Sequence, residues 1–195
     1  MAATFYRWLM MTDTDRDPFD RHLLACAVAI ASADPATPLA HGLGLSAAAL
    51  EAMVGLYFPH ARALLADGGD GSGPVALEEE DLRGLLLSHR SLGRPEEEWL
   101  AAIVARRCQA PNHLWQDLGL TGRADLGALM TRHFAPLAAL NDRDMKWKKF
   151  FYRQLCGQEG VPICKSPVCD ACDDFALCFG AEDGLSLLAR AARSD

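Results

Sequence analysis

The sequence has few aromatic residues, no long apolar run and no excess of positive charge. Only 8% of its 195 residues are aromatic, although half are hydrophobic, and alanine and leucine dominate. This composition argues against a strand-rich sandwich and favours helices. No apolar stretch approaches the ~20 residues that cross a membrane as a helix. We therefore expect a mostly helical protein with no membrane partner.

The charge balance argues against general nucleic-acid binding. The formal net charge is -7, whereas attraction to phosphates needs Lys and Arg clustered over a broad face. Locally the sign reverses, because Lys146, Lys148, Lys149 and Arg153 form a basic patch just before a group of cysteines, and Lys165 lies within that group. This patch predicts a docking place for an anion or an acidic protein, and a charge partner for a cluster of thiolates.

The cysteine count favours reduced thiols. Seven cysteines is an odd number, and the first ten residues contain Tyr6, Arg7 and Trp8 where a signal peptide has an apolar run. We therefore expect a cytoplasmic protein, in which metal binding is favoured over a disulfide framework. Cys26 and Cys108 stand alone in apolar surroundings, which predicts small core residues.

Helix start signals recur through the first 156 residues. The predicted first or capping residues are Pro18, Ser46, Glu78, Pro95, Asn112 or Thr121, and Asn141 or Asp142. The Gly- and Asp-rich stretch 67–74 predicts a flexible surface loop that divides two helical subassemblies. The predicted organisation is a helical domain over 1–156 and a Cys-rich cluster-binding segment over 157–195, irregular as far as 180 and ending in a short helix over 185–192.

Four cysteines fall within fifteen residues near the carboxyl end. Cys164, Cys169, Cys172 and Cys178 follow one another as C-x4-C-x2-C-x5-C. Thiolates are soft ligands for iron, zinc and molybdenum, and so short a span can fold around one metal centre. The spacing predicts that these four residues are the metal ligands.

The spacing alone leaves the metal open. Structural zinc commonly uses paired C-x2-4-C knuckles separated by a longer stretch, and this segment has only one C-x2-C pair. Compact serial cysteines suit an iron-sulfur cube somewhat better. The alternatives are therefore an iron-sulfur electron-transfer protein and a zinc-stabilised interaction module, with structural disulfides disfavoured by the expected compartment.

Three segments resemble one known family. They are Asn-His-Leu-Trp-Gln-Asp-Leu-Gly-Leu over 112–120, Met-Lys-Trp-Lys-Lys-Phe-Phe over 145–151, and the cysteine segment ending in Cys-Phe-Gly at 180. Together they resemble the NifQ family of nitrogen-fixation proteins. The resemblance is close over the C-terminal half and weak over 85–91, and the family's cysteine motif coincides with the four cysteines without a change of spacing.

The resemblance implies a role in molybdenum handling. A member of this family would carry a molybdenum-iron-sulfur cluster and pass molybdenum on during assembly of the nitrogenase iron-molybdenum cofactor. Its partners would be the cofactor-assembly scaffold and the nitrogenase iron protein. It would act as a metal donor and not as an enzyme, and release of a metal to another protein requires an accessible cysteine loop.

Molybdenum in such a cube needs more ligands than one thiolate and the sulfides provide. Our hypothesis is that Cys156, His113 or His133, or a small exogenous anion, supplies the additional ligand. Cys156 is the first candidate because it lies eight residues before Cys164, at the end of the basic helix. Trp115 and Trp147 are expected to be packing residues.

Overall fold

The computed structural model describes residues 1–12, 14–66, 73–158 and 175–193. In these ranges the regular structure is helical and no strand occurs, so the prediction of a mostly helical protein is confirmed. The helices are α1 (Ala2–Met10), α2 (Pro18–Ala31), α3 (Leu39–Leu43), α4 (Ala47–Tyr57), α5 (Leu77–Ser88), α6 (Pro95–Cys108), α7 (Leu114–Asp117), α8 (Arg123–His133), α9 (Ala135–Ala139), α10 (Trp147–Gln158), α11 (Phe175–Phe179) and α12 (Leu187–Ala192), and a 3-10 helix covers Pro59–Leu65. Residues 67–72 of the predicted flexible loop at 67–74 and most of the cysteine loop lie outside the described residues.

Local capping chemistry explains why several helices begin where the sequence predicts. The Asp17 carboxylate accepts hydrogen bonds from the backbone N–H groups of Phe19 and Asp20 at 2.9 and 3.1 Å, and Pro18 is the first residue of α2. The Ser46 hydroxyl accepts from the N–H of Ala49 at 3.2 Å. Both caps satisfy backbone donors that a helix leaves unpaired at its amino end.

Helix α10 begins at Trp147, later than the predicted start at Asn141 or Asp142. The Asn141 side chain forms hydrogen bonds with both the N–H and the C=O of Met145, each 2.9 Å long, and Asp144 adopts a positive φ of 54°. An asparagine side chain that bonds to nearby backbone groups stabilises a turn in competition with a helix. The predicted cap therefore forms a turn that precedes the helix.

The described helices share one hydrophobic core, in place of the two subassemblies expected from the sequence. Its buried residues run from Leu9 in α1 to Phe151 in α10. Helix α6 is central, because it contacts α2, α3, α4, α5 and α7. Trp115 and Trp147 are buried in this core, which confirms that they are packing residues, and Cys26 and Cys108 are buried as predicted.

The carboxyl-terminal helix returns to the amino-terminal one, since α12 packs against α1, α2 and α7. Its approach depends on Gly119, which has φ +75°; a Cβ atom there would lie 2.9 Å from Cγ1 of Ile30 and 3.4 Å from Cβ of Leu188. No helix in the ranges that the structure describes is both long and apolar enough to cross a membrane.

Candidate metal centre

The structure describes one residue of the four-cysteine motif. Cys178 lies in α11, and Cys156 lies in the last turns of α10; both are partly buried. Cys164, Cys169 and Cys172 lie outside the described residues. Within the described residues, no three His, Cys, Asp or Glu side chains are arranged to hold a metal ion. The four-cysteine ligand set therefore stays a prediction.

Residues 175–179 form a helix, although the sequence predicted an irregular loop as far as 180. The rings of Phe175 and Phe179 stack one turn apart, with centroids separated by 4.7 Å. The N–H of Gly180 donates to the carbonyl oxygen of Ala176 at 2.9 Å. Side chains four residues apart lie on one helix face, so the aromatic pair and the closing hydrogen bond stabilise this single turn.

The carboxyl end of the cysteine segment is attached to the start of α10. The Lys146 N–H donates to the carbonyl oxygen of Cys178 at 2.8 Å, and the Lys146 ammonium group donates to that of Ala176 at 3.1 Å. The guanidinium carbon of Arg143 lies 5.4 Å from the centroid of the Phe179 ring, within range of a cation–π contact. The Cys178 side chain itself packs against the edge of the core.

Four residues after Cys178, Glu182 belongs to a charged cluster. Its side chain is only 6% exposed; one carboxylate oxygen lies 3.2 Å from His113 Nδ1 and the other 2.9 Å from Arg123 Nη1. We call these three residues the His113 cluster. Nearby, the Gln116 amide donates to the carbonyl oxygen of Asp183 at 3.0 Å. The chain that follows the cysteine motif is thereby held against α7 and α8.

Arg123 connects this cluster to the turn before α10. Its Nη2 donates to the Asp144 carboxylate at 2.8 Å and to the carbonyl oxygen of Met145 at 3.0 Å. Burial acts to lower the pKa of the Arg123 guanidinium, but the hydrogen bonds to Asp144 and Glu182 outweigh burial and raise it. The guanidinium therefore stays positively charged. It lies between Glu182 and the turn before α10, whose next residue, Lys146, bonds to Cys178.

One lysine of the predicted basic patch points inward. The Lys148 ammonium group donates to the carbonyl oxygens of Ala110 and Asn112 at 2.6 and 2.7 Å and to the carboxylate of Asp117 at 2.7 Å. Lys148 precedes the fully buried Phe151 by three residues, so helical periodicity places both on the inner face of α10. Lys148 is thus a structural residue, and its inclusion in a docking patch was wrong.

The outer face of α10 carries Lys149 and Arg153, both exposed. Cys156 is seven residues beyond Lys149, which is two turns of a helix, so it shares this face. Two other thiols of the described helices, Cys26 and Cys108, lie in the core. Burial raises the pKa of Cys26 and of Cys108 to about 12, which keeps both protonated and makes them poor metal ligands.

His133, the second histidine considered as an additional ligand, belongs to a buried network. The ring is fully buried, and its Nε2 lies 2.9 Å from the Asp20 carboxylate. Arg132 contacts the same carboxylate at 2.9 Å through Nε and Asp17 at 2.7 Å through Nη2. This network joins α8 to the amino end of α2, which gives His133 a structural role.

Sequence reasoning missed Glu182 and Arg123. Neither belongs to a spaced motif, and each is a charged residue of a kind that usually faces solvent. Only their contacts with His113 and with the turn at Asp144 single them out. The three segments that carry the family resemblance meet here, because Lys148 contacts Asp117 and Lys146 contacts Cys178.

A model of one protein family, NifQ, matches residues 23–180. The match covers most of the chain, including the cysteine motif, His113 and Arg123. The chain belongs to the NifQ family. Glu182 lies just beyond the matched range, so the His113 cluster joins residues inside the family match to one outside it.

Individual NifQ proteins agree with this assignment. Protein NifQ of Azotobacter vinelandii is 50% identical over 105 residues, which are 54% of each chain. The NifQ homolog of Sinorhizobium fredii (strain NBRC 101917 / NGR234) is 39% identical over 183 residues, 90% of this chain and 77% of the relative. Protein NifQ of Rhodobacter capsulatus is 42% identical over 146 residues, 74% of this chain and 79% of the relative.

The match spans about half the length of the Azotobacter vinelandii protein and more than three quarters of the other two. No solved structure gives a significant match.

Proposed function

We propose that this NifQ family chain carries molybdenum in an iron-sulfur cluster and donates it during assembly of the nitrogenase iron-molybdenum cofactor. The cluster is cargo, and the chain acts as a donor and not as an enzyme. The observation that carries the proposal is the C-x4-C-x2-C-x5-C motif in a NifQ family chain. In support, the last cysteine of that motif is attached to the helical core through Lys146.

The donor groups suit this cargo. Cys164, Cys169, Cys172 and Cys178 would supply four thiolates, which are preferred ligands of iron in such clusters. Cys178 lies at the edge of the core, with its side chain partly exposed. A ligand at the surface leaves a route by which a metal can pass to another protein without unfolding of the carrier.

Positive charge near the motif would serve both binding and transfer. Thiolates and sulfides concentrate negative charge, which nearby cations offset. Lys146 lies against α11, and Lys149 and Arg153 occupy the outer face of α10. The same face would receive an acidic surface of the cofactor-assembly scaffold or of the nitrogenase iron protein, because opposite charges steer encounter.

Elemental analysis of protein purified without oxygen tests the proposal. We expect both iron and molybdenum in the wild type. Molybdenum alone should fall when the protein is mixed with the assembly scaffold and separated again. A Cys178→Ser variant is the matched control for the bound cluster, and it should start with less of both metals.

The other readings of the cysteine motif make different predictions in the same experiment. An electron-transfer protein would contain iron, lack molybdenum and keep its composition after mixing. A zinc-stabilised module would be colourless and contain zinc. Either result would overturn the proposed function.

A further inference from the structure

We propose that a cleft between α4, α5 and α6 binds a small organic acid. Arg83 and Arg90 hold the carboxylate of this ligand, and Leu45, Leu87 and Trp99 contact its apolar part. The residues that line the cleft are separate from those of the candidate metal centre. The inference is therefore independent of the proposed metal cargo and goes beyond it. Four observations support it.

First, the cleft has the size of a small-molecule site. Its volume is about 450 Å³, and such sites commonly enclose about 300–1,000 Å³. Its walls come from the amino end of α4, from α5 and the turn that follows it, and from α6. Leu87 and Arg90 belong to the stretch 85–91, whose family resemblance the metal cargo leaves unexplained.

Second, the inner side of the cleft is apolar and already packed in place. Leu45 and Trp99 line it and are only 2% and 6% exposed. The Trp99 indole packs edge to face against the Tyr57 ring, with centroids 6.2 Å apart. Ligand sites typically combine such an apolar wall with a few polar groups. The apolar part of a ligand therefore meets a preformed surface.

Third, the charged side chains around the cleft leave an excess of positive charge. Two cations, Arg83 and Arg90, face one carboxylate, that of Glu98. Arg83 also contacts Glu79, at 3.5 Å, but Glu79 lies closer to Arg106, at 2.9 Å. Arg106 therefore offsets the charge of Glu79, and the cleft keeps one positive charge. This charge favours a carboxylate over a neutral or cationic ligand.

Fourth, both guanidinium groups are oriented and keep N–H groups for a ligand. Arg83 donates through Nη2 to the carbonyl oxygen of Gly44 at 2.9 Å, and Arg90 donates through Nη1 to Glu98 at 2.7 Å. In the described part of the chain, neither Nη1 of Arg83 nor Nη2 of Arg90 bonds to another group. Arginine recognises a carboxylate through such paired N–H groups. Glu98 is 60% exposed, and an exposed ion pair is weak, so a bound carboxylate competes for Arg90.

Binding of three small molecules to the purified wild-type protein tests the proposal. The probe is hydrocinnamate, which has a carboxylate and an apolar body. Hydrocinnamyl alcohol has the same body without the charge, and acetate has the charge without the body. NMR of protein with nitrogen-labelled indole groups should show a saturable shift of the Trp99 signal with hydrocinnamate, at a dissociation constant in the millimolar range or tighter.

The two comparison molecules should bind at least about tenfold more weakly than hydrocinnamate, because each lacks one of the two kinds of contact. The Trp99 signal is assigned by its absence from the Trp99→Phe variant. An unchanged Trp99 signal at saturating hydrocinnamate would overturn the proposal. Equal affinities for the acid and the alcohol would overturn it as well.

Substitutions in the cleft test the two kinds of contact separately. Arg83→Met and Arg90→Met should each weaken hydrocinnamate binding at least about tenfold, because each removes hydrogen bonds to a charged group. Ala49→Phe should also weaken binding, since Ala49 lines the cleft and a larger side chain fills it. Arg62→Met is the matched control, because Arg62 is an exposed arginine outside the cleft, and it should bind hydrocinnamate as the wild type does.

Circular dichroism and thermal unfolding show whether each variant is folded before its affinity is compared. Arg83 also bonds to the backbone at Gly44, so Arg90→Met, whose partner Glu98 faces solvent, is the decisive variant. Wild-type affinity in a folded Arg90→Met variant would end the assignment of this cleft. The carrier function would stand in that case, because the cleft contains none of the residues proposed to bind the metal cargo.

Discussion

The ammonium group of Lys148 lies 2.7 Å from a carboxylate oxygen of the fully buried Asp117. The second oxygen of that carboxylate accepts from the Asn112 side-chain amide at 2.8 Å. These contacts attach α10, which leads into the cysteine segment, to α7, whose amino end carries His113. In the sequence these two residues look like a solvent-exposed charge pair. In the structure they connect the two helices that lie next to the candidate metal centre.

Replacing Lys148 with Met should strongly destabilise the metal-free protein. The change leaves the Asp117 carboxylate buried without its counter-charge, and breaking a buried pair in this way costs about 3–5 kcal/mol. Urea unfolding measures the loss. The matched control is Lys149→Met on the outer face of the same helix, which should change the free energy of unfolding by less than about 0.5 kcal/mol. Equal unfolding midpoints for the two variants would contradict this role of Lys148.

Cys26 and Cys108 should resist alkylation in the folded protein. Burial raises the pKa of each to about 12, so both thiols stay protonated at pH 8, and the thiolate is the reactive form. Cys156, which is partly exposed, should react first. Iodoacetamide labelling followed by peptide mass spectrometry gives the order. All three should be labelled in urea, and equal native rates for Cys108 and Cys156 would contradict the prediction.

The Asp17 carboxylate should make the stability depend on pH in the acid range. Burial acts to raise its pKa, but hydrogen bonds from the backbone of Asp20 and from Arg132 outweigh it, so the pKa lies below its ordinary value of 3.8. A lowered folded-state pKa stabilises the protein above the unfolded-state value, and this contribution is lost as the pH falls through the folded-state pKa. Stability should therefore decline below about pH 4.

Two substitutions at Asp17 separate its charge from its capping role. Asn can also cap a helix, so Asp17→Asn should reduce the pH dependence of unfolding while keeping the cap. Asp17→Ala should cost about 1 kcal/mol more at pH 7, because the cap is lost too. Urea unfolding at pH 7 and pH 3 gives both quantities. A wild type and an Asn variant that lose stability in parallel between these values would exclude a contribution of this carboxylate.

Replacing Cys156 with Ser should lower the molybdenum content more than the iron content. The thiol occupies the outer face of α10 near its end, and a serine oxygen is a harder and less acidic ligand than sulfur. Elemental analysis of protein purified without oxygen provides the ratio. Cys26→Ala is the control, because that thiol lies in the core. Equal loss of both metals, or loss of neither, would argue against Cys156 as an additional ligand.

The helix starts that the sequence predicted correctly are those with local chemistry. Asp17, Ser46 and Pro95 act within one turn of their own position. Their effect can therefore be recognised from a short stretch of sequence. Helix α1 was missed because no side chain caps it. It is stabilised by burial of Leu9 and its neighbours against α2 and α12, and α12 lies at the other end of the chain.

By itself, the sequence determined the helical class, the spacing of the four cysteines and the family to which they belong, because composition, caps and ligand spacing are properties of short stretches. Only the tertiary structure decided that Lys148 points inward to Asp117 and that Glu182 contacts His113. These pairs are far apart in the chain, and their contacts depend on how whole helices pack. The same packing decides that Lys148 is directed inward while Lys149, the next residue, is exposed.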